Sequence, residues 1–106
     1  MKALKFVGSS LEELKDFPAE VRRAAGFELD AIQRGLNPTD WKPMTSVGSG
    51  AYEVRIHLLG EWRIIYVAKF AESVFVLHSF QKKTQKTSQA DIEIARRRYR
   101  QLKEEL

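Results

Sequence analysis

The spacing of hydrophobic residues changes repeatedly along this chain, and each change marks an element. Residues 3–7, ALKFV, predict a short strand closed by Gly8, and Ser10-Leu11-Glu12-Glu13 has the capping-box spacing that opens a brief helix over residues 11–16. Pro18 suits the first position of a second helix, since the amide it lacks would be unpaired there anyway. Val21, Ala25, Leu29, Ile32 and Leu36 then recur at helical spacing up to a stop at Gly35. The stretch NPTDWKPMTSVGSG has no clear period and reads as a loop over residues 37–50.

From Ala51 the period becomes two. Tyr52, Val54, Ile56 and Leu58 alternate with Glu53, Arg55 and His57, which predicts a strand with one apolar and one ionisable face. Gly60 marks a hairpin into WRIIYVAKF, apolar on both faces like a central strand. Ala71-Glu72 reads as a tight turn into the strand at residues 73–80. A last helix over 89–105 carries Ile92, Ala95, Tyr99, Leu102 and Leu106 on one stripe, with Thr87 or Ser88 as its cap. The order β-α-α-β-β-β-α predicts an α+β fold in one domain over residues 1–106: a mostly antiparallel sheet, the two N-terminal helices on one face, and the other face available for function.

Register decides which ionisable side chains converge. A two-residue loop of Gly60-Glu61 would put Arg63 beside Leu58 in the core, and an unpaired buried guanidinium costs several kcal/mol. A three-residue loop, Leu59 to Glu61, pairs Leu58 with Trp62 and His57 with Arg63, and gathers Arg55, His57 and Arg63 on one face. A two-residue Ala71-Glu72 turn pairs Ile65 with His78 and Arg63 with Phe80. The expected open face thus collects Arg55, His57, Arg63, His78 and Phe80, with Lys82 and Lys83 at its rim.

Charge sharpens this picture. Residues 80–106 carry eight Lys/Arg against four Asp/Glu and residues 1–79 ten against ten, so the whole formal excess of +4 lies in the last quarter. The junction His78, Lys82, Lys83, Thr84 and Lys86 is suited to phosphate, and a polyanion is the natural partner. Cations that hold phosphates and a ring that stacks on a base are the parts for gripping single-stranded nucleic acid. The same parts can cleave RNA through a base, an acid and cations that stabilise a phosphorane. Each residue also has a plainer role: Arg55 in an ion pair with Glu53 or Glu61, the histidines as structural groups, Phe80 as core under the last helix, and Arg96, Arg97, Arg98 and Arg100 as a solvated helix face.

The chain has no cysteine, and its only histidines, His57 and His78, lack metal-ligand spacing, which argues against a metal site. No apolar run has the length of a signal peptide or membrane span, so a soluble cytoplasmic protein without cofactor is expected.

The strand Tyr52-Glu53-Val54-Arg55, Trp62-Arg63 with Tyr66, and the run from Phe80 through Lys82-Lys83-Thr84 to Lys86-Thr87 together resemble the phage-related HigB-like branch of the RelE/HigB toxin superfamily of type II toxin-antitoxin systems. The similarity spans essentially the whole chain, including Phe17-Pro18 and Trp41-Lys42-Pro43-Met44; Ser88 stands where relatives commonly have proline. The resemblance implies a compact microbial ribonuclease fold without the usual histidine and glutamate pair. It implies a metal-independent mRNA interferase acting in the ribosomal A site, neutralised by a cognate antitoxin, here expected to be a helix-turn-helix protein. Arg55, Arg63, Lys82 and Lys83 match the catalytic positions best, and His78 transfers less directly. His57, Phe80, Lys86, Arg96, Arg97, Tyr99 and Arg100 are the expected RNA contacts. Two other outcomes fit the same scaffold: a non-catalytic, gyrase-directed inhibitor of the ParE kind, and a degenerate phage protein that keeps only antitoxin binding.

Overall fold

The computed structural model describes all 106 residues. Strand β1 (Ala3–Phe6), helices α1 (Ser10–Lys15) and α2 (Ala19–Gln33), strands β2 (Trp41–Pro43), β3 (Ala51–His57), β4 (Glu61–Val67) and β5 (Ser73–Gln81), and helix α3 (Gln89–Glu105) follow in chain order. They form one five-stranded sheet in the order β1-β5-β4-β3-β2, antiparallel except where β1 joins β5 in parallel. The α+β class and the order of the expected elements hold, with β2 as an addition inside the expected 37–50 loop. Three residues that include a proline give no readable period, and Pro43 is tolerated because β2 is an edge strand.

Each sheet face carries its own apolar layer. On one, α2 buries Val21, Ala25, Leu29 and Ile32 against Val54, Ile56, Ile64, Tyr66 and Val76, and Leu14 of α1 packs against the same layer. On the other, Ala95, Tyr99 and Leu102 of α3 cover Ile65, Val67, Phe75 and Leu77. The second face is therefore open only near the β3–β4 turn, a correction to the expected free face. Its cause is visible in the strands, because β4 and β5 are apolar on both sides and need cover on both.

The hairpin register is two residues off the expected one. Arg55 faces Arg63, Ile56 faces Trp62 and His57 faces Glu61, with Leu58, Leu59 and Gly60 as the turn. The shift preserves parity, so every side chain keeps its expected face except Leu58, which leaves the core and is 36% exposed. Two features favour the tighter strand end: positive φ at Leu59 (53°) and Gly60 (115°), and the Trp62 indole N–H donating to the Leu58 carbonyl at 2.9 Å. Between β4 and β5, Arg63 faces Phe80 and Ile65 faces His78 as expected. The turn, however, spreads over residues 68–72 instead of two, and a bulge next to Ile65/Tyr66 absorbs the difference.

Smaller departures have equally local reasons. Ser10 is buried and donates to the Val76 carbonyl (3.0 Å), so α1 starts without the expected side-chain cap and instead satisfies the edge of β5 beyond β1. Pro18 is the N-cap of α2, not its first helical residue. Gly35 (φ 80°) turns the chain off the helix axis, which leaves Leu36 61% exposed. Ser88 caps α3 by accepting from the Asp91 amide at 3.1 Å, and Leu106 lies beyond the helix and off its buried stripe.

Candidate functional site

The uncovered end of the second face is a compact network of charges. Arg55 and Arg63 are direct cross-strand partners, an arrangement that is destabilising for like charges unless anions intervene. Three carboxylates do so. Asp40 Oδ1 accepts from Arg55 through Nε (3.1 Å) and a terminal nitrogen (2.9 Å). Glu61 Oε1 accepts from Arg63 at 3.0 Å, and fully buried Glu53 lies 3.7 Å from Arg63 Nε. The Asp40 carbonyl also accepts the Arg55 amide (2.9 Å), so backbone pairing beside β3 delivers the Asp40 side chain to this face.

His57 sits at the exposed edge of the network with a carboxylate on each ring nitrogen. Its Nε2 is 2.6 Å from Asp40 Oδ2, and its Nδ1 is 2.8 and 3.0 Å from the two oxygens of Glu61. Hydrogen bonding first to Asp40 and then to Glu61 raises the imidazole above its ordinary value. Reciprocally, the bond from His57 lowers Asp40, and with the bond from Arg55 it outweighs the opposing effect of burial. The bond from Arg63, with His57 behind it, lowers Glu61. The arrangement favours the protonated form of the imidazole between two carboxylates, next to two guanidinium groups.

His78 is elsewhere. It is 4% exposed and held by Glu13 at Nδ1 (3.0 Å) and Asp91 at Nε2 (2.7 Å), with its ring stacked on Phe80 at 4.6 Å between centroids. Arg98 completes this cluster by donating to both Glu13 oxygens (2.9 and 3.0 Å), the Leu77 carbonyl and Ser9. Burial pushes the Glu13 carboxyl up, but the bonds from His78, Arg98 and the Ser79 amide outweigh it and hold the group at about 2. The cluster ties α1, β5 and α3 together, and it removes His78 from the mouth of the strand, where the sequence pattern predicts it.

The other expected contacts divide by exposure. Lys83 and Lys86 are exposed and Lys82 half-buried, with the Lys82 amide donating to the Glu61 carbonyl at 2.7 Å, which anchors this basic loop beside the arginines. Lys42, Ser46, Lys86 and Thr87 line a shallow cleft of about 360 Å³ between β2 and the start of α3. Arg97 and Arg100 are exposed, whereas Arg96 is tied to the Ser46 carbonyl (3.0 and 2.6 Å) and to Glu93. Arg98 is buried, so it does not belong to a solvated helix face. Phe80 and Tyr99 are 8% and 1% exposed. Neither ring has a free face for a base: Phe80 stacks on His78, and Tyr99 lies under Gly48 with its hydroxyl donating to the Ser49 carbonyl at 2.5 Å.

Asp40, Glu53 and Glu61 are the participants that sequence reasoning did not assign to the site. The i,i+4 spacing of His57 and Glu61 across a turn, and the shared parity of Glu53 with Arg55, were available signals; Asp40, in an aperiodic loop, gave none. Arg55 does form an ion pair, but with Asp40, while Glu53 and Glu61 go to Arg63.

No group of three or more His, Asp and Glu side chains is arranged to hold a metal ion, and no helix is long and apolar enough to cross a membrane. No curated protein matches the chain in sequence. Among solved structures, a mutant of the E. coli toxin RelE in the free state is similar over 95% of this chain and 97% of that one, with a TM-score of 0.67 and 16% identity, a likeness of fold. The family described as Phage derived protein Gp49-like (DUF891) matches residues 12–100. With the RelE fold in place and the match covering most of its length, the chain belongs to this Gp49-like family, a family of RelE/HigB-type toxins.

Proposed function

We propose that this toxin is a ribosome-dependent mRNA endonuclease that works without a metal, by attack of a ribose 2′-hydroxyl on the adjacent phosphate. The observation that carries the reading is the direct facing of Arg55 and Arg63. Two guanidinium groups on neighbouring strands form a paired donor surface for a phosphate that turns into a dianionic phosphorane. Arg55 commits Nε and one terminal nitrogen to Asp40, leaving the other for substrate. Arg63 is 5% exposed at its side chain and reaches substrate only when Glu61 moves aside. Lys82, Lys83 and Lys86 flank the site and track the RNA backbone, while Arg97 and Arg100 meet ribosomal RNA. His78 holds the fold together here and does not exchange protons with substrate.

The neutralising partner is a cognate antitoxin of the helix-turn-helix kind, whose acidic side chains compete with RNA phosphates for the same cations. A second reading, a non-catalytic inhibitor directed at gyrase, draws support from the carboxylates that already balance both arginines. Purified toxin incubated with programmed ribosomes separates the two: discrete cuts in the message support the nuclease, and intact message with inhibited gyrase supports the alternative.

A further inference from the structure

We infer that His57 and Glu61 form a general acid and base pair, oriented by Asp40, at a site where the family resemblance implies a ribonuclease fold without one. The inference rests on the nuclease reading above and assigns its proton transfers. Three geometric facts carry it. His57 Nδ1 and both Glu61 oxygens are within 3.0 Å of each other, so acid and base share one location. His57 Nε2 is fixed by Asp40, which is itself fixed by two bonds from Arg55, so the ring has one settled side and one exchangeable side. The pair lies between the arginines expected to hold the phosphate, since Glu61 is bonded to Arg63 while Asp40 bridges His57 to Arg55. His57 and Glu61 are also the more exposed members of the network, at 51% and 42% of their side-chain surface.

The chemistry balances. Substrate entry parts the 2.8 Å contact, frees Arg63 from Glu61, and lets the phosphate settle between the guanidinium groups. The Glu61 carboxylate takes the 2′-hydroxyl proton as the 2′-oxygen bonds to phosphorus. The bond from phosphorus to the 5′-oxygen breaks, and that oxygen receives the Nδ1 proton of His57. The products are a 2′,3′-cyclic phosphate and a 5′-hydroxyl. Glu61 then holds a proton and His57 lacks one, and closure of their contact returns it, restoring the starting state without solvent. The direct contact in the free protein is thus the return path. Of the groups facing the ring, the anions Asp40 and Glu61 favour the charged imidazole that an acid requires, and they do so against the cations Arg55 and Arg63 behind them.

The test is single-turnover cleavage of message by purified full-length toxin on programmed ribosomes, with an ordinary scissile linkage and with sulfur replacing the bridging 5′-oxygen. Sulfur leaves readily without a proton, so it bypasses the acid alone. His57→Ala and Glu61→Gln are each expected to slow the ordinary substrate by roughly 10²–10⁴-fold. The sulfur-bridged substrate is expected to restore His57→Ala to within about tenfold of the wild type on that substrate, and to leave Glu61→Gln slow, reading the bypass as a change in this same acid-base contribution. A purely structural role for His57 gives no such selective rescue. Cleavage by wild type together with an unimpaired or unrescued His57→Ala overturns the pair while the nuclease reading stands. Absence of cleavage by the wild type overturns both. Glu61→Gln also removes an anion from buried Arg63, so a lower melting temperature than wild type is expected of it, with both variants still folded at the assay temperature; the selective sulfur rescue of His57→Ala is a readout that such a loss of stability does not produce.

Discussion

Acid should loosen this protein at one identifiable point, the Glu13 carboxylate. Folding lowers it from an ordinary 4.5 to about 2. Because the folded carboxyl is the stronger acid, folding favours its ionised form; that stability is complete above the unfolded value near 4.5 and is lost as pH falls toward 2. A lowering of this size is worth at most roughly 3–4 kcal/mol. The side chain keeps 24% of its exposure, so solvent screening reduces the figure to about 1–2 kcal/mol. Glu13→Gln retains shape and some hydrogen bonding but cannot titrate. Urea unfolding followed by fluorescence, from pH 7 down to the lowest pH with a folded baseline, should show wild type ahead of the variant by about 1–2 kcal/mol more at pH 7 than near pH 2. The other carboxylates titrate in both proteins and cancel. A gap between the two that stays constant across this range would refute the assignment of the acid-sensitive stability to the cluster of Glu13, His78 and Arg98.

Replacing Arg55 or Arg63 by alanine is expected to slow single-turnover cleavage by roughly 10²–10³-fold, the effect of losing one preorganised anion donor, and to abolish growth arrest on expression; a double variant that still arrests growth rules the arginines out. Neutralising Lys83, Lys86, Arg97 and Arg100 should reduce the slope of log affinity against log salt for ribosomes by roughly 0.7–0.9 for each phosphate that no longer meets a cation, measured by co-sedimentation across a salt series. Gly48→Ala would set a Cβ 2.7 Å from the Tyr99 ring and should destabilise the fold by about 1–3 kcal/mol, the usual range for overpacking, read as a lowered urea midpoint with unchanged slope.

Long periodic segments were legible because burial imposes their pattern. The α2 stripe at Val21, Ala25, Leu29 and Ile32 and the alternation of β3 each report a single buried face, and parity along β3 and β4 brought Arg55, His57 and Arg63 together despite the two-residue error in register. What stayed hidden depends on contacts between distant residues. Glu13 lies far in sequence from His78 and Arg98, so nothing local marks it as their anion. His78 looked free because its strand ends in a basic run, yet both its partners come from helices that the strand pattern cannot see. The α3 cover over β4 and β5 follows from strands apolar on both faces, a signal that outweighs the ionisable alternation of β3 alone. Tyr99 shows the same ambiguity in one residue: an aromatic on a helical stripe is core when a glycine lies opposite, and that glycine is in a loop without period.

The buried knot at Glu13 also sets an order of events during synthesis. Glu13 precedes Arg98 by 85 residues, and β1 has no partner until β5 follows it. Contacts this remote in sequence carry a large loop-closure cost and slow folding. On an emerging chain, the first strand and helix wait for β5, and the Glu13 cluster is completed only when α3, the last element, has been joined. A product that ends before α3 lacks Asp91, Arg98 and the cover over Ile65 and Leu77 together. Such a fragment strips Arg98 from Glu13 and Asp91 from His78, leaves these two with each other and the Ser79 amide, and puts an apolar sheet face in water, so incomplete chains are expected to be cut by proteases instead of acting as partial toxins.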